Sequence, residues 1–480
     1  MLFSESGFSR SLAAAALSLA LATTAFNSTA QEAMPGPPPA MPSIKDTQYQ
    51  SILHIDNDRL TVTGRINKGN DTSLSQSTVS HLSVSNSEAD VNPVLVTGVK
   101  SNVTIRDMNI SSDGGGSNDF LAKGAGLLAA EGIVSIYDSS IETSGVISSA
   151  LVSAERATLK AFNSHFVSHG GKLPDDYVPV IGPGMKEPPA PLGITGTART
   201  HLTMSNARSY FYNCTFEADG WGALSTDASG GEAYLEVNDS TVNVNNSGYG
   251  AYADFGARVV INSSELHSAT YTGVIAGAAE MQLNASTSSS GENVMMIHSV
   301  MGNPMEQGKL IIEGGKHVSQ GTALLIKSAN ADITLTGTEI IAGNGRLIQA
   351  KINDDPHRTR TAGKPVPGSA VTISASQLSG NIINEDSERS LAVSLKAGSS
   401  LHGAMQNVTL SVNEDSLWHA TEDSTVVITD PAVLDRIAPQ PGVKVMATVQ
   451  SDLPSVPRII RKENNSEIIV AAATSTKGIF

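Results

Sequence analysis

Apolar and polar residues alternate in short runs along most of the chain, and the runs recur. Leu235-Glu-Val-Asn-Asp-Ser-Thr-Val242 alternates, breaks at Asp-Ser, and turns apolar again. Val259-Val-Ile-Asn-Ser-Ser-Glu-Leu266 restates it 24 residues later. Alternation of period two marks a strand, whereas a helix would place apolar residues at i, i+3 and i+4. The same strand–corner–strand phrase reads Val103-Thr-Ile-Arg-Asp-Met-Asn-Ile110, Val134-Ser-Ile-Tyr-Asp-Ser-Ser-Ile141, Leu159-Lys-Ala-Phe-Asn-Ser-His-Phe166 and Tyr210-Phe-Tyr-Asn-Cys-Thr-Phe216. Later forms include Ile333-Thr-Leu-Thr-Gly-Thr-Glu-Ile340, Val371-Thr-Ile-Ser-Ala-Ser-Gln-Leu378 and Leu410-Ser-Val-Asn-Glu-Asp-Ser-Leu417, about a dozen copies in all. The step is 26 residues from Phe216 to Val242, 22 from Val318 to Ile340, and 16 from Leu401 to Leu417.

A strand repeat of this length is the signature of a solenoid. One turn cannot bury its own apolar side, but stacked turns can, each strand pairing in parallel with its copies above and below. The Asn/Asp-Ser corner then recurs at the same place in every turn. Asn and Asp tolerate the left-handed backbone of a sharp corner, and their side chains can bond in a ladder. The expected fold is therefore all-β, a wound solenoid over residues 50–430. Residues 431–480 lose the period, and "VKVMATVQ" and "EIIVAAAT" read as two strands of a small C-terminal β cap, which a solenoid needs to cover its last edge.

The pattern resembles the right-handed parallel β-helix of the pectin-lyase-like superfamily. The stretch "LAVSLKAGSSLHGAMQNVTLSVNEDSLWHATEDSTVVI" is similar to the last coils of autotransporter passenger domains, with short coils and Gly-Ser and Ser-Leu-Trp phrases. Autotransporters continue into a membrane barrel. This sequence ends at Phe480, so export through a barrel of its own is not expected.

Ahead of the repeats, Arg10 closes a short n-region and "SLAAAALSLALATTA", residues 11–25, is an apolar run too short for a membrane span. Residues 1–30 read as a signal peptide cleaved after Ala30, and 31–49 as a Pro-rich linker. The mature chain is expected without a transmembrane segment, secreted or on the cell surface, with the periplasm as the alternative. Two Pro-rich stretches, residues 170–193 and 351–369, interrupt the rhythm. Such insertions project from one face and either carry function or are tolerated excursions.

Composition narrows the function. Only 16% of residues are charged and 4% aromatic, with 43 glycines, which suits short strands and tight turns. A net charge of −15 without a basic run argues against nucleic acid as a partner. Cys214 is the single cysteine, so no intramolecular disulfide forms, and it reads as a buried thiol in a repeat position.

Chemistry is sparse. Glycoside hydrolases need paired carboxylates on one face. Asp175-Asp176 and Asp354-Asp355 lie in the insertions, and adjacent strand residues would point to opposite faces. Pectin hydrolases carry Asn-x-Asp, Asp-Asp, Gly-His-Gly and Arg-x-Lys phrases on successive coils. Here Ser168-His169-Gly170-Gly171 is the nearest, and the others do not follow. Arg156, Arg199, Arg208 and Arg258 are scattered and read as solvated charge. His165, His169 and His201 could converge across the first insertion, but scattered surface histidines are the reading taken. No catalytic residue, metal ligand or cofactor is assigned. If catalysis exists, Asp219, Asp227 and Asp254 beneath the 170–193 insertion are the places to look.

One band stands out. Trp221, Tyr249, Tyr252 and Tyr271 occupy corresponding places in three consecutive coils of a chain poor in aromatics. Facing out, they would form a platform for sugar rings; facing in, a core stack without a ligand. The function expected is a non-enzymatic, adhesin-like β-helix with a glycan or extracellular protein as partner. The alternative is a polysaccharide lyase or glycoside hydrolase.

Overall fold

The computed structural model describes residues 43–182, 184–227, 231–450 and 457–471. Residues 1–30, expected as a signal peptide, and most of the expected linker 31–49 lie outside them. The chain winds as a parallel β-helix with three strands per coil. In one coil, Tyr234–Asn238 lies on the first sheet, Thr241–Val244 on the second and Tyr249–Asp254 on the third. Each pairs in parallel with its counterpart one coil on, Arg258–Asn262, Glu265–Ser268 and Tyr271–Ala276.

The corner between the first two sheets is where the sequence puts it. Asp138, Asn163, Asn213, Asp239 and Ser263 have φ of 51°, 50°, 54°, 49° and 47°. In the earliest copy Asn102–Ser112 runs through as one strand, with φ 50° at Asp107. Two ladders tie the corners together. Asn213 Nδ2 donates to Asn163 Oδ1 at 2.9 Å, while Asn262 and Asn284 donate down a neighbouring column to Asn238 and Asn262 at 2.9 and 2.8 Å. Beside them the amides of Ser240 and Ser264 donate to the hydroxyls of Ser264 and Ser286, one coil on. Cys214 occupies a serine place in this column: its amide donates to Ser240 Oγ at 2.9 Å, and burial pushes its thiol up to about 11. It is a packing thiol held far from the thiolate form. Removing an interior rung leaves partners unpaired, so Asn262→Ala should cost about 1–2 kcal/mol in chemical denaturation.

Inward residues form one continuous apolar column. Ile136, Ala161, Phe211, Val237, Ile261 and Leu283 stack in register on the first sheet, and all are fully buried. The column widens where Phe166, Phe211 and Phe216 meet edge-on or tilted, and His201 packs against Phe211 at 4.7 Å.

The ends depart from simple winding. Arg59–Val62 folds back antiparallel on Gln50–Asp56, and Ile66–Leu74 lies antiparallel to Thr78–Asn86. The strand Ile66–Leu74 reads INKGNDTSL and lacks apolar alternation, so it covers the edge of Thr78–Asn86 instead of adding a coil. At the other end Lys444–Val449 and Glu467–Ala471 continue the parallel stack, and Arg458–Arg461 closes it antiparallel. Arginines at both ends of that last strand blunt the edge. Among the described residues no helix is long and apolar enough to cross a membrane.

Candidate functional site

Most strands are buried on one face and alternate. Five neighbours on the third sheet do not. Arg199–Met204, Gly222–Asp227, Tyr271–Ala276 and Asn293–His298 are buried at every position, and Tyr249–Asp254 at all but two. A strand buried on both faces has a cover on its outer side. Outward-facing Tyr252, Val274, Met296 and Leu325 follow one another in register. Met185 and Leu192 of the first insertion, and Ile194 directly after it, pack over them, together with Phe120 from a short turn at Asp119–Leu121. The insertion is thus a folded cover. Tyr271 holds it down by donating its hydroxyl to the Leu192 carbonyl at 2.9 Å.

The aromatic band therefore neither faces the interior nor stands bare. Trp221, Tyr249 and Tyr271 are 3%, 1% and 5% exposed, all in an outer-face cluster separate from the interior column. Nor do they form one column. Tyr249 and Tyr271 are level, whereas Trp221 stands one residue before the level position and Tyr252 pairs with Ser225. Backbone explains the displacement. Trp221 has φ 63°, and Gly248 has φ 135° with a Cβ position only 2.5 Å from the Trp221 carbonyl oxygen. Gly222 leaves the room that the Tyr249 ring fills, since a Cβ there would lie 2.1 Å from it. Gly222→Ala should displace this ring and cost about 1–3 kcal/mol, read as a lowered unfolding midpoint.

Between this cover and the second insertion the sheet is open as a groove of about 310 Å3. Trp221, Tyr249, Tyr252 and Phe120 wall one side. The other side is built by the 299–305 loop and residues of the second insertion, joined where Met301 N–H donates to the His357 carbonyl at 2.9 Å and Ser299 Oγ meets Thr359 Oγ1 at 2.8 Å. Ile181, Met301 and Phe255 rim the mouth, 55%, 54% and 37% exposed.

The groove is also acidic. Asp227, Asp254 and Asp355 line it with His298 and His357. Asp254 and His298 both stand level with Ala276, on the coils either side of it. Thr226 Oγ1 donates to Asp254 Oδ1 at 3.1 Å. Arg199 lines it too, but its guanidinium is already paired with Asp119 and lies 5.1 Å over the Trp221 ring. Both partners are almost fully buried, so Arg199 is not the solvated charge its sequence context suggests. His298 is 7% exposed and Nε2 has no hydrogen-bond partner. Burial, helped by nearby Lys327, lowers its pKa to about 4, so the ring is neutral at pH 7.

Asp227 and Asp254 thus share the groove, while Asp219 does not. Asp219 Oδ2 bonds His169 Nδ1 at 2.8 Å and Oδ1 accepts from Asn245 at 3.0 Å on another side of the coil. The three histidines do not converge. His165 pairs with Glu217 and His169 with Glu142 and Asp219, whereas His201 lies inside the solenoid. Among the described residues no three His, Cys, Asp or Glu side chains are grouped to hold a metal ion. Of the remaining arginines, Arg258 pairs with Glu280 at 3.2 Å and Arg208 lies over Tyr234 at 5.6 Å.

A second aromatic feature went unread in the sequence. Tyr137, Phe162 and Tyr212 stack face to face at 4.9 and 5.1 Å, with Arg106 over the free face of Tyr137 at 4.4 Å. Each ring directly precedes a corner residue, and that spacing was the available signal. With the stacked faces covered, the ladder presents mainly edges, which suits packing better than a sugar platform. An open depression of about 380 Å3 lies beside it, lined by Lys160 and Tyr210.

Comparison of the chain with family models, curated proteins and solved structures gave no match.

Proposed function

We propose that this is a non-enzymatic recognition β-helix of the adhesin type, acting outside the cytoplasm, which takes a glycan in the outer-face groove. The observation that carries the reading is that groove: about 310 Å3, near the lower end of small-molecule sites, with aromatic walls and a few polar groups. Aromatic faces suit the C–H faces of sugars, and Asp227, Asp254 and His298 supply acceptors and donors for hydroxyls. The leader-like N-terminus and the likeness to passenger domains of the pectin-lyase-like kind support a place at or beyond the cell envelope. In a glycan-array screen of the full chain, at least one oligosaccharide should bind. Phe255→Ala and Tyr252→Ala should weaken that binding at least tenfold while Tyr137→Ala leaves it unchanged. Equal loss with Tyr137→Ala would move the site to the ring ladder.

The second reading is a glycan-cleaving enzyme. Asp227 and Asp254 favour it, because two carboxylates in one groove are the raw material of glycoside hydrolysis. Product formation from the bound glycan, abolished by Asp227→Asn or Asp254→Asn, would establish it. An intact ligand after prolonged incubation supports recognition alone.

A further inference from the structure

The charges in the groove are matched within the protein. The Arg199 guanidinium is paired with Asp119 and acts on Asp227 as well. Thr226 donates to Asp254, and His357 Nδ1 lies 3.5 Å from Asp355. Arg358, bridged to Val300, brings one more cation to the far wall. What stays unmatched is apolar surface. Of the twelve large apolar side chains exposed among the described residues, six belong to the loops around this mouth. Ile181, Phe255 and Met301 form its rim. Val178 and Val180 precede Ile181, and Met305 shares the loop of Met301.

The two longer loops are built to hold these side chains out. Lys186 N–H donates to the Tyr177 hydroxyl at 3.1 Å, which ties the ends of the first. Met305 N–H donates to Asn303 Oδ1 and Gly302 N–H to Thr359 Oγ1, both at 3.0 Å, which fixes the second. Clustered exposed apolar side chains mark a binding surface. A bare oligosaccharide would cover the aromatic walls and leave this rim in water. An extended peptide would need a free strand edge, but the third-sheet strands from Arg199–Met204 to Arg346–Lys351 are each paired on both sides. A hydrocarbon chain needs apolar contact and no hydrogen bonds.

We propose that the groove takes an amphiphilic glycan, a sugar carrying an alkyl or acyl chain as in a glycolipid, with the sugar in the groove and the chain across the rim. The ring lies by Tyr252 and Phe255, and the chain leaves over Ile181 and Met301. Methionine suits this place, because its flexible thioether adapts to a chain of no fixed shape. This rests on the glycan reading above and narrows its ligand.

Isothermal titration calorimetry of the full chain, below the micelle concentration, compares octyl and methyl β-glycosides of glucose, galactose and N-acetylglucosamine. At least one octyl glycoside should bind at least tenfold more tightly than its methyl partner. Ile181→Ser with Met301→Ser should erase that difference, while Met446→Ser, at an exposed apolar position on the C-terminal strand Lys444–Val449, should keep it. Circular dichroism of each variant confirms folding. Octyl tetraethylene glycol, which carries the chain without a sugar, should bind at least tenfold more weakly than the best octyl glycoside. Equal binding of octyl and methyl forms overturns the amphiphile and leaves the glycan reading standing, as does a preference that survives Ile181→Ser with Met301→Ser. Equal binding of octyl tetraethylene glycol shows a hydrocarbon site without sugar recognition and overturns both. Absence of binding by every octyl glycoside overturns the proposal, and an empty glycan array in addition overturns the glycan reading.

Discussion

Arg199→Ala is expected to destabilise the fold by about 3–5 kcal/mol, because it strands a buried carboxylate. Asp119 is 3% exposed and belongs to the turn that carries Phe120 onto the outer face. Arg199 starts a third-sheet strand, Arg199–Met204, so the ion pair clips that turn to the sheet. Its loss should loosen Phe120 and the Trp221 wall together, since the guanidinium also lies over the indole. Fluorescence can localise the effect. Trp418 is buried near the other end of the solenoid, with Nε1 donating to the Gly403 carbonyl at 2.8 Å, so a Trp418→Phe background leaves Trp221 as the reporter. In urea, the Trp221 transition should move to lower denaturant. Replacing both charges with apolar residues, Arg199→Met with Asp119→Leu, should recover most of the loss, because the pair's cost of desolvation disappears with its attraction.

Acid should unfold the solenoid from within. His201, His298 and His317 are all buried, and burial lowers their pKa values to about 3, 4 and 4. His201 is locked neutral, with Nδ1–H donating to the Leu151 carbonyl at 3.0 Å and Nε2 accepting from the Ser209 hydroxyl at 3.1 Å, which in turn accepts from Thr203. Unfolded imidazoles take up a proton near pH 6.5, while these folded ones wait until pH 3–4. Between those values protons bind the unfolded chain only. Stability is therefore complete above about pH 7 and falls as pH drops toward 4, by roughly 2–3 kcal/mol for each histidine. The melting temperature should decline over that range. His317→Leu with Ser288→Ala, which removes a ring and its hydroxyl partner at 2.9 Å, should make the decline shallower. A pH-independent melting temperature from 7 to 4.5 would contradict this.

The winding was legible because it repeats. Each copy carries the same alternation and the same αL corner, so errors in one copy are corrected by the next, and the Asn and Ser ladders follow from stacking like on like. The ends were less legible: a capping hairpin such as Ile66–Leu74 occurs once and has no copy to be checked against. The site was half visible. Trp221, Tyr249, Tyr252 and Tyr271 stand out in the sequence and fall in one packed cluster, but their facing depends on Gly222, Gly248 and the left-handed Trp221, which break the alternation that would have shown it. The cover was hidden because long-range packing of residues 170–193 on the sheet leaves no periodic trace. Its one local sign is the run Asn293-Val-Met-Met-Ile-His298, apolar where an exposed strand would alternate. Arg199 misled for the same reason: a lone arginine in sequence looks solvated, and only the fold brings Asp119 to it.

The proposed function turns on ligand recognition at the covered groove of the third sheet, and not at the exposed ring ladder. A crystal structure of the full chain grown with the best-binding oligosaccharide tests it most directly. A sugar ring is expected against Tyr252 and Phe255, within hydrogen-bonding reach of Asp254. Sugar density along Tyr137, Phe162 and Tyr212, with the groove unchanged, would contradict it.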